Sequence, residues 1–195
     1  MTSNQFFVPR LDPDSTRIFL EGDEHHHLSR VVRIRAGETV RLFDGEGLSC
    51  LARVESVAPE RTVLTVLRRE EGEESGAFLT LALGMMASKK MEFILQKAAE
   101  LGISEFIPLE TARSLRASRE KSSRRLERWE RIAREAVKQS KGKVVPVVRE
   151  PSPFATFVGV PWEGRAFQLS ERGGRPFKEL LREDPLREGG PSPRA

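Results

Sequence analysis

The sequence predicts a mixed α/β fold: a small N-terminal β-barrel carrying one helix, then an α/β layer built on a parallel sheet. Three observations carry this. The first 70 residues break into short segments rich in Val, Leu, Phe and Thr, parted by Asp-Gly, Gly-Glu-Gly and Pro-Glu turns. From Ala77 onward the order becomes strand, helix, strand, helix, strand, which lays helices against parallel strands. Between the two patterns, "REEGEESGA" (Arg69 to Ala77) is acidic, glycine-bearing and without apolar periodicity. It reads as a linker and divides the chain into domains 1–72 and 73–195.

In the first part, "TRIFLEG", "TVRLFDG", "LSCLARVESVA" and "RTVLTVLRRE" are the expected strands. Asp44-Gly45 between apolar runs signals a hairpin, because glycine tolerates the positive φ of such turns. "DEHHHLSRVVRIRAG" is the inserted helix, with Asp23 as its N-cap and Gly37 as its end. In the second part, "AFLTLALGMM" is a continuous apolar run, the pattern of a strand buried on both faces. A helix follows in "KKMEFILQKAAELG": Met91, Ile94, Leu95 and Ala98 form one stripe, and Gly102 suits the C-terminal cap. "EFIPLE" is the second strand, "VVPVV" the third and "RAFQLSE" the fourth. Ser118 to Lys141 is a long basic helix, expected to bury Leu126, Trp129, Ile132 and Ala136 and to expose Arg124, Arg128, Arg131 and Lys138. After Arg175 only one short apolar patch remains.

No apolar run approaches the roughly 18 residues that span a membrane. "MTSNQFFVPRLDP" lacks the basic and apolar regions of a signal peptide. The one cysteine, Cys50, excludes an internal disulfide framework or a cysteine-rich zinc site, and a reducing cytoplasm fits best. The net charge of +4 is unevenly spread. Thr111 to Glu150 holds 13 Lys and Arg against 5 Glu, a net of +8, which leaves −4 for the rest of the chain. Such a concentration is the footprint of a nucleic-acid binder. The plainer reading is a solvated helix laced with i,i+4 ion pairs.

Most catalytic classes find no support. His25, His26 and His27 are consecutive, so on a helix they point about 100° apart, and no second His or Cys cluster completes a zinc site. They read as a helix start with one His packed or touching RNA. Cys50 lies mid-strand, and Ser114 and Ser170 lack a glycine elbow. No Walker loop or dinucleotide fingerprint is present. The cations do better. Arg30, Arg33 and Arg35 follow the histidines; Lys89 and Lys90 end the first strand of the α/β layer, and Arg113 ends the second. Ligands of open parallel sheets bind beyond the carboxyl ends of the strands, where arginine can hold phosphate bidentately. Each cation alone could equally be ordinary surface.

Several stretches, in order, resemble the RsmE family of bacterial 16S ribosomal RNA uridine-N3 methyltransferases. They are "FFVPRL", "HHHLSRVVRIRAGETVRLFDGEG", "KKMEFILQKAAELGISEFIPLETARS", "RWERIAREAVKQSKGKVVPVV" and "LSERGGRPFKEL". The resemblance covers roughly residues 6 to 180. It implies a PUA-like RNA-binding barrel, a SPOUT-type α/β domain with a deep trefoil knot, a homodimer where the knot is complete, S-adenosyl-L-methionine as methyl donor, and the small ribosomal subunit as partner. It implies no membrane and no metal. Methylation at uridine N3 is a displacement at a sulfonium methyl that is helped by loss of the N3 proton. A cation that stabilises the uridine anion is therefore expected, with Arg10, Arg30, Arg33, Lys90 and Arg113 as unranked candidates. The RNA surface would comprise Arg30, Arg33, Arg35, Lys89, Lys90, Arg113, Arg124, Arg128, Arg131 and Lys138. Leu169, Ser170 and Glu171 match the family's first donor-pocket loop.

The chain departs from the family near Arg182 to Arg187. The Gly-Pro-Glu-Gly-Gly loop, Leu-Gly turn and Arg-Ala-Glu-Thr-Ala helix, which build most of the donor pocket and tie the knot, have no counterpart here. Two functions are expected from this: a uridine-N3 methyltransferase by descent, or an inactive RNA-binding remnant with an incomplete knot. A scaffold whose basic helix docks an acidic protein is a third class.

Overall fold

The strands β1 (Gln5–Phe7), β2 (Arg17–Glu21), β3 (Thr39–Phe43), β4 (Ser49–Val57) and β5 (Arg61–Glu70) form one curled sheet in the order β1-β3-β4-β5-β2. The computed structural model describes residues 4–70, 77–114, 122–162, 164–170 and 172–183. β1 joins β3 in parallel, and the other pairings are antiparallel. Alternation decides which face is buried: Val40 and Leu42, Cys50, Ala52 and Val54, and Ile18 and Leu20 all point inward, where Phe6, Leu28 and Ile34 complete the core. β1 was not expected from the sequence. Three residues ending before a proline are too few to show a period.

The turn at Asp44-Gly45 forms as expected. The Asp44 carboxylate accepts bonds from the backbone N–H of Glu46 (2.8 Å) and Leu48 (3.0 Å), and Gly45 has φ of 83°. The inserted helix differs from expectation. α1 (Gly22–His26) begins one residue before Asp23, which lies in the first turn and offers no capping bond. The chain then widens into a π-helix, His27–Val32, and leaves it through Arg33 at φ of 60°. β5 also runs two residues into the expected linker, since Arg69 pairs with Cys50 and Glu70 with Ser49; residues 71–76 lie outside the described part.

The second sheet is parallel: β6 (Thr80–Gly84), β7 (Glu105–Glu110) and β8 (Val147–Val148) lie in that order, and β9 (Ser152–Pro153) continues beside β7. The helices α2 (Ser88–Glu100) and α3 (Ser122–Ser140) connect them. α2 ends where Gly102 adopts φ of 83°, as expected. α3 buries Trp129, Ala133, Ala136 and Val137, while Leu126 and Ile132 are only half-buried. The core stripe is therefore turned slightly from its expected line, and the small Ala133 lies in it where α3 packs against α2 and β8. Residues 118–121 of the expected helix lie outside the described part.

Two strand expectations are corrected. β6 is not buried on both faces: it is an edge of the described sheet, Leu81 and Leu83 are half-buried, and Leu79 is exposed. The helices α2 and α3 pack on one face, and no described strand takes up its outer backbone groups. "RAFQLSE" forms no strand in its described residues. A strand needs a neighbour for its N–H and C=O groups, and no described strand pairs with this segment. Phe167 instead meets Phe177, at 5.0 Å between ring centroids, on α5 (Phe177–Glu183). A short helix, α4 (Phe154–Gly159), precedes it.

The two sheets are joined by specific contacts. Phe43, at the end of β3, is fully buried within the core of the second sheet. The Gln5 amide donates to the Gly142 carbonyl at 2.6 Å, and the Val145 N–H donates to the Gly45 carbonyl at 2.8 Å. A Cβ at Gly45 would lie 3.0 Å from a Val145 methyl and 3.2 Å from the Phe7 ring, so this close approach needs glycine.

Candidate nucleic-acid interface

On α2, Lys89, Glu92, Phe93 and Gln96 fall on one stripe; on α3, Arg128, Arg131 and Ile132 fall on another. The helices pack side by side, so these stripes become the two walls of a groove of about 440 Å³. Three of its seven lining residues are cations expected from the sequence to touch RNA: Lys89, Arg128 and Arg131. Arg128 crosses the groove to the Glu92 carboxylate at 2.7 Å, while Lys89 and Arg131 make no ion pair among the described residues and are exposed. Phe93 stands among them with its side chain largely in solvent, 60% exposed, and the Lys97 ammonium lies 6.0 Å from its ring. Lys97 is also bound by Glu100 at 2.8 Å, a hydrogen bond that holds that carboxyl below its ordinary range.

An exposed aromatic ring between unpaired cations is what single-stranded nucleic acid fits: phosphates meet the charges and a base stacks on the ring. The i,i+4 lacework that would explain the basic helix as mere surface is not seen, because no ion pair within α3 has that spacing among the described residues. Phe93 and Gln96 were not singled out as site residues in the sequence. Their signal was available as the i, i+4, i+7 spacing from Lys89, but the same spacing serves any exposed helix face.

The other expected residues are distributed as follows. Lys90 and Arg113 are exposed at the carboxyl ends of β6 and β7, which are adjacent through the Met85 N–H to Leu109 carbonyl bond of 2.9 Å. Arg124 is exposed one turn before Arg128. Arg10, Arg30, Arg33 and Arg35 are exposed on the first sheet and its helix. Of these, Arg30 lines a cavity of about 270 Å³ with His25, Ser29, Val57, Ala58 and Pro59. Lys138 is a correction. It is buried, with its ammonium 2.8 Å from Glu24 and 3.1 Å from Glu135, and cannot belong to an exposed RNA face. It follows Ala133, Ala136 and Val137 on the buried side of α3, close to the junction with the first sheet.

His25 is the packed histidine, held through Nδ1 to the Thr62 hydroxyl at 2.9 Å and through Nε2 to the Pro59 carbonyl at 3.1 Å. No group of three or more His, Cys, Asp or Glu could hold a metal ion among the described residues. No helix among them is long and apolar enough to cross a membrane.

Two of the three residues matched to a methyl-donor loop lie among the described residues. Leu169 is 82% exposed, and the Ser170 hydroxyl is bound to the carbonyl (2.9 Å) and N–H (3.2 Å) of Arg172. Neither lines either of the two cavities described above, and Glu171 lies outside the described residues. A nucleoside donor needs an enclosed, largely apolar slot; residues 165–170 are exposed except Phe167, which is half-buried.

A curled β-sheet joined to a helix-covered parallel sheet, with a cationic groove lined by an aromatic ring, makes this a two-lobed mixed α/β protein. Residues 73–188 match the RNA methyltransferase domain family, and residues 20–74 match the RNA methyltransferase PUA domain. The chain belongs to this RNA methyltransferase family. It is 31% identical over 137 residues to ribosomal RNA small subunit methyltransferase E of Bacillus subtilis (strain 168), covering 69% of this chain and 54% of that protein. With the Synechocystis protein of the same name (strain ATCC 27184 / PCC 6803 / Kazusa) the identity is 34% over 68% of this chain and 43% of that one. The crystal structure of the Neisseria gonorrhoeae protein of that name, bound to S-adenosyl methionine, superposes with a TM-score of 0.75 at 26% identity, covering 83% of this chain and 67% of that one. The chain thus spans about half the length of the two curated relatives, 54% and 43%.

Proposed function

We propose that this chain binds 16S ribosomal RNA of the small subunit and presents a uridine for methylation at N3, S-adenosyl-L-methionine being the methyl donor. The observation that carries this is the Lys89, Arg128 and Arg131 groove with Phe93 in its lining, on a segment that matches an RNA methyltransferase domain. Lys89 and Arg131 neutralise phosphates, and Phe93 stacks a base. Lys90 and Arg113, exposed at adjacent strand ends, are the cations best placed to favour loss of the N3 proton, since ligands of such sheets gather there. A cytoplasmic setting and a homodimer accompany this reading.

A second reading is favoured by the exposure of Leu169: these 195 residues bind the RNA but do not turn over. The two are separated by one pair of measurements on the chain. Salt-dependent binding to small-subunit rRNA tests the RNA surface, and tritium transfer from the labelled donor to subunits lacking the modification tests turnover. Binding with transfer supports the first reading, and binding without it the second. Failure to bind rRNA in preference to an acidic peptide overturns both.

A further inference from the structure

We infer that the N-terminal sheet carries a separate pocket for one unpaired nucleotide, with its base in the cavity beside Ser29 and its phosphate on Arg30. The inference rests on RNA being the partner, but it concerns a site on a different lobe from the α2–α3 groove.

The cavity is built rather than incidental. One wall is the π-helix, whose widened turn displays Ser29 and Arg30; such turns are rare and concentrate at functional sites. The opposite wall is the β4–β5 turn, Val57, Ala58 and Pro59, closed by the Ala58 N–H to Arg61 carbonyl bond of 2.9 Å. His25 ties the two walls together. Its Nε2 donates to the Pro59 carbonyl at 3.1 Å and its Nδ1 meets the buried Thr62 hydroxyl at 2.9 Å, so the pocket is preformed and the imidazole is spoken for.

What remains free is chemically specific. The Ser29 Oγ is buried and has no hydrogen-bond partner among the described residues, an arrangement that costs stability unless a ligand or water completes it. A hydroxyl both donates and accepts, so it can read a base edge carrying either group. Val57, Ala58 and Pro59 offer an apolar surface for the base plane. Arg30 is exposed at the rim without an ion pair among the described residues, and no carboxylate lines the cavity. The volume, about 270 Å³, is below the usual range for drug-sized ligands, roughly 300–1,000 Å³, and excludes a duplex or a pair of stacked bases. Unpaired, splayed-out bases are the usual targets of sequence-reading RNA contacts.

The test is a titration of the isotope-labelled 195-residue chain with uridine 5′-monophosphate, and separately with ribose 5-phosphate, followed by amide chemical shifts. The nucleotide should move Ser29, Arg30 and Ala58 saturably. Ribose 5-phosphate should move Arg30 alone. Ser29→Ala should weaken nucleotide binding by about fivefold, and Arg30→Gln by more than about tenfold, the sizes of a neutral and a charge-assisted hydrogen bond. Both variants should keep the Thr62 and Pro59-adjacent shifts of the parent, which shows that the pocket still folds. Lys178→Gln, on α5 and outside both cavities, should leave the titration unchanged. No movement at millimolar nucleotide, or an equal response to ribose 5-phosphate, overturns the inference. Full rRNA affinity in the Ser29→Ala, Arg30→Gln double variant overturns it too and leaves the proposed function standing. Nucleotide binding in a chain that ignores rRNA does the reverse.

Discussion

The ammonium of Lys138 lies 2.8 Å from one carboxylate oxygen of Glu24, and the other oxygen accepts the Phe7 backbone N–H at 3.2 Å. One carboxylate thus joins α1, β1 and α3, and so the two sheets. The Lys138 side chain is 4% exposed and that of Glu24 19%. Breaking a buried pair from one side leaves an uncompensated charge, at a cost of about 3–5 kcal/mol. The Lys138→Ala variant should therefore lose about 3 kcal/mol, the low end, because Glu24 keeps some solvent. Urea unfolding would show a lower midpoint, while the salt slope for RNA should stay as in the parent. A flattened slope would return Lys138 to the RNA surface.

Phe43 links sequence and junction differently. It is a β3 residue, yet it is fully buried among Trp129, Phe106 and Ala133 of the second core, with Phe7 beside it at 5.6 Å between ring centroids. A fragment of residues 1–72 keeps the whole of its own core and should unfold cooperatively with dispersed amide signals. It also uncovers Phe43. Phe43→Ser should consequently improve the solubility of the fragment but destabilise the full chain by about 3–5 kcal/mol, the range for truncating a buried Phe. The same sign in both contexts would remove Phe43 from the junction.

Burial of the Cys50 thiol pushes its acidity down, that is, its pKa up; Arg69 opposes this and Glu70 adds to it. The folded pKa is then above the unfolded one. Its contribution to stability is complete below the unfolded pKa and is lost as pH rises through the folded value. A thiol reagent at pH 8 should label the unfolded chain and leave the folded chain unreacted, and stability should fall on the alkaline side. Cys50→Ser should remove that alkaline fall. Rapid labelling of the folded chain would contradict the buried placement on β4.

Much of this architecture was legible because burial follows period. Val40, Leu42, Ala52, Val54 and Leu64 alternate as a one-faced sheet must, and the Gly102 stop follows from a backbone conformation that only glycine adopts freely. Lys138 was misread because charge was taken as a sign of exposure. Its partner, Glu24, is 114 residues away in sequence, and no local pattern reports a long-range ion pair. "RAFQLSE" was misread for a related reason: apolar content gives a strand its inner face but cannot supply the neighbour that takes its hydrogen bonds. The cations of the groove were found by composition, whereas Phe93 and Ser29 were not, because an exposed ring and an unpaired hydroxyl have meaning only once the surrounding walls are in place.

Arg124, Arg128 and Arg131 should each contribute to the salt dependence of RNA binding. The logarithm of affinity falls with the logarithm of salt by roughly 0.7 to 0.9 per neutralised phosphate. Reversing all three to Glu should flatten the slope by about 2 to 3. Arg128 also loses its 2.7 Å bond to Glu92 in this variant, so a thermal melt must accompany it. Phe93→Ala should lower affinity at every salt concentration without changing the slope, since stacking releases no counterions. A slope unchanged by the triple reversal would remove α3 from the RNA surface.

The 195-residue chain should bind S-adenosyl-L-methionine very weakly and should not methylate rRNA at a useful rate. Binding a nucleoside donor requires its adenine to leave water for an apolar slot and its polar edge to be paired. Leu169, the apolar member of the matched loop, is 82% exposed, and the Ser170 hydroxyl is already bound to the Arg172 backbone. Val158, Val160, Trp162 and Phe177 of the same C-terminal part are also exposed, so apolar surface is present there. β6 meanwhile presents an edge without a described neighbour. Such surfaces favour association, and light scattering should rise with concentration. Calorimetric titration with the donor, together with tritium transfer to small subunits lacking the modification, decides the question. A family-like C-terminal segment placed after Arg182 should restore both solubility and transfer, because it would cover the apolar patch and complete the slot around Leu169. Micromolar donor binding with turnover in the 195-residue chain would overturn this prediction and place the donor in a pocket elsewhere in the chain.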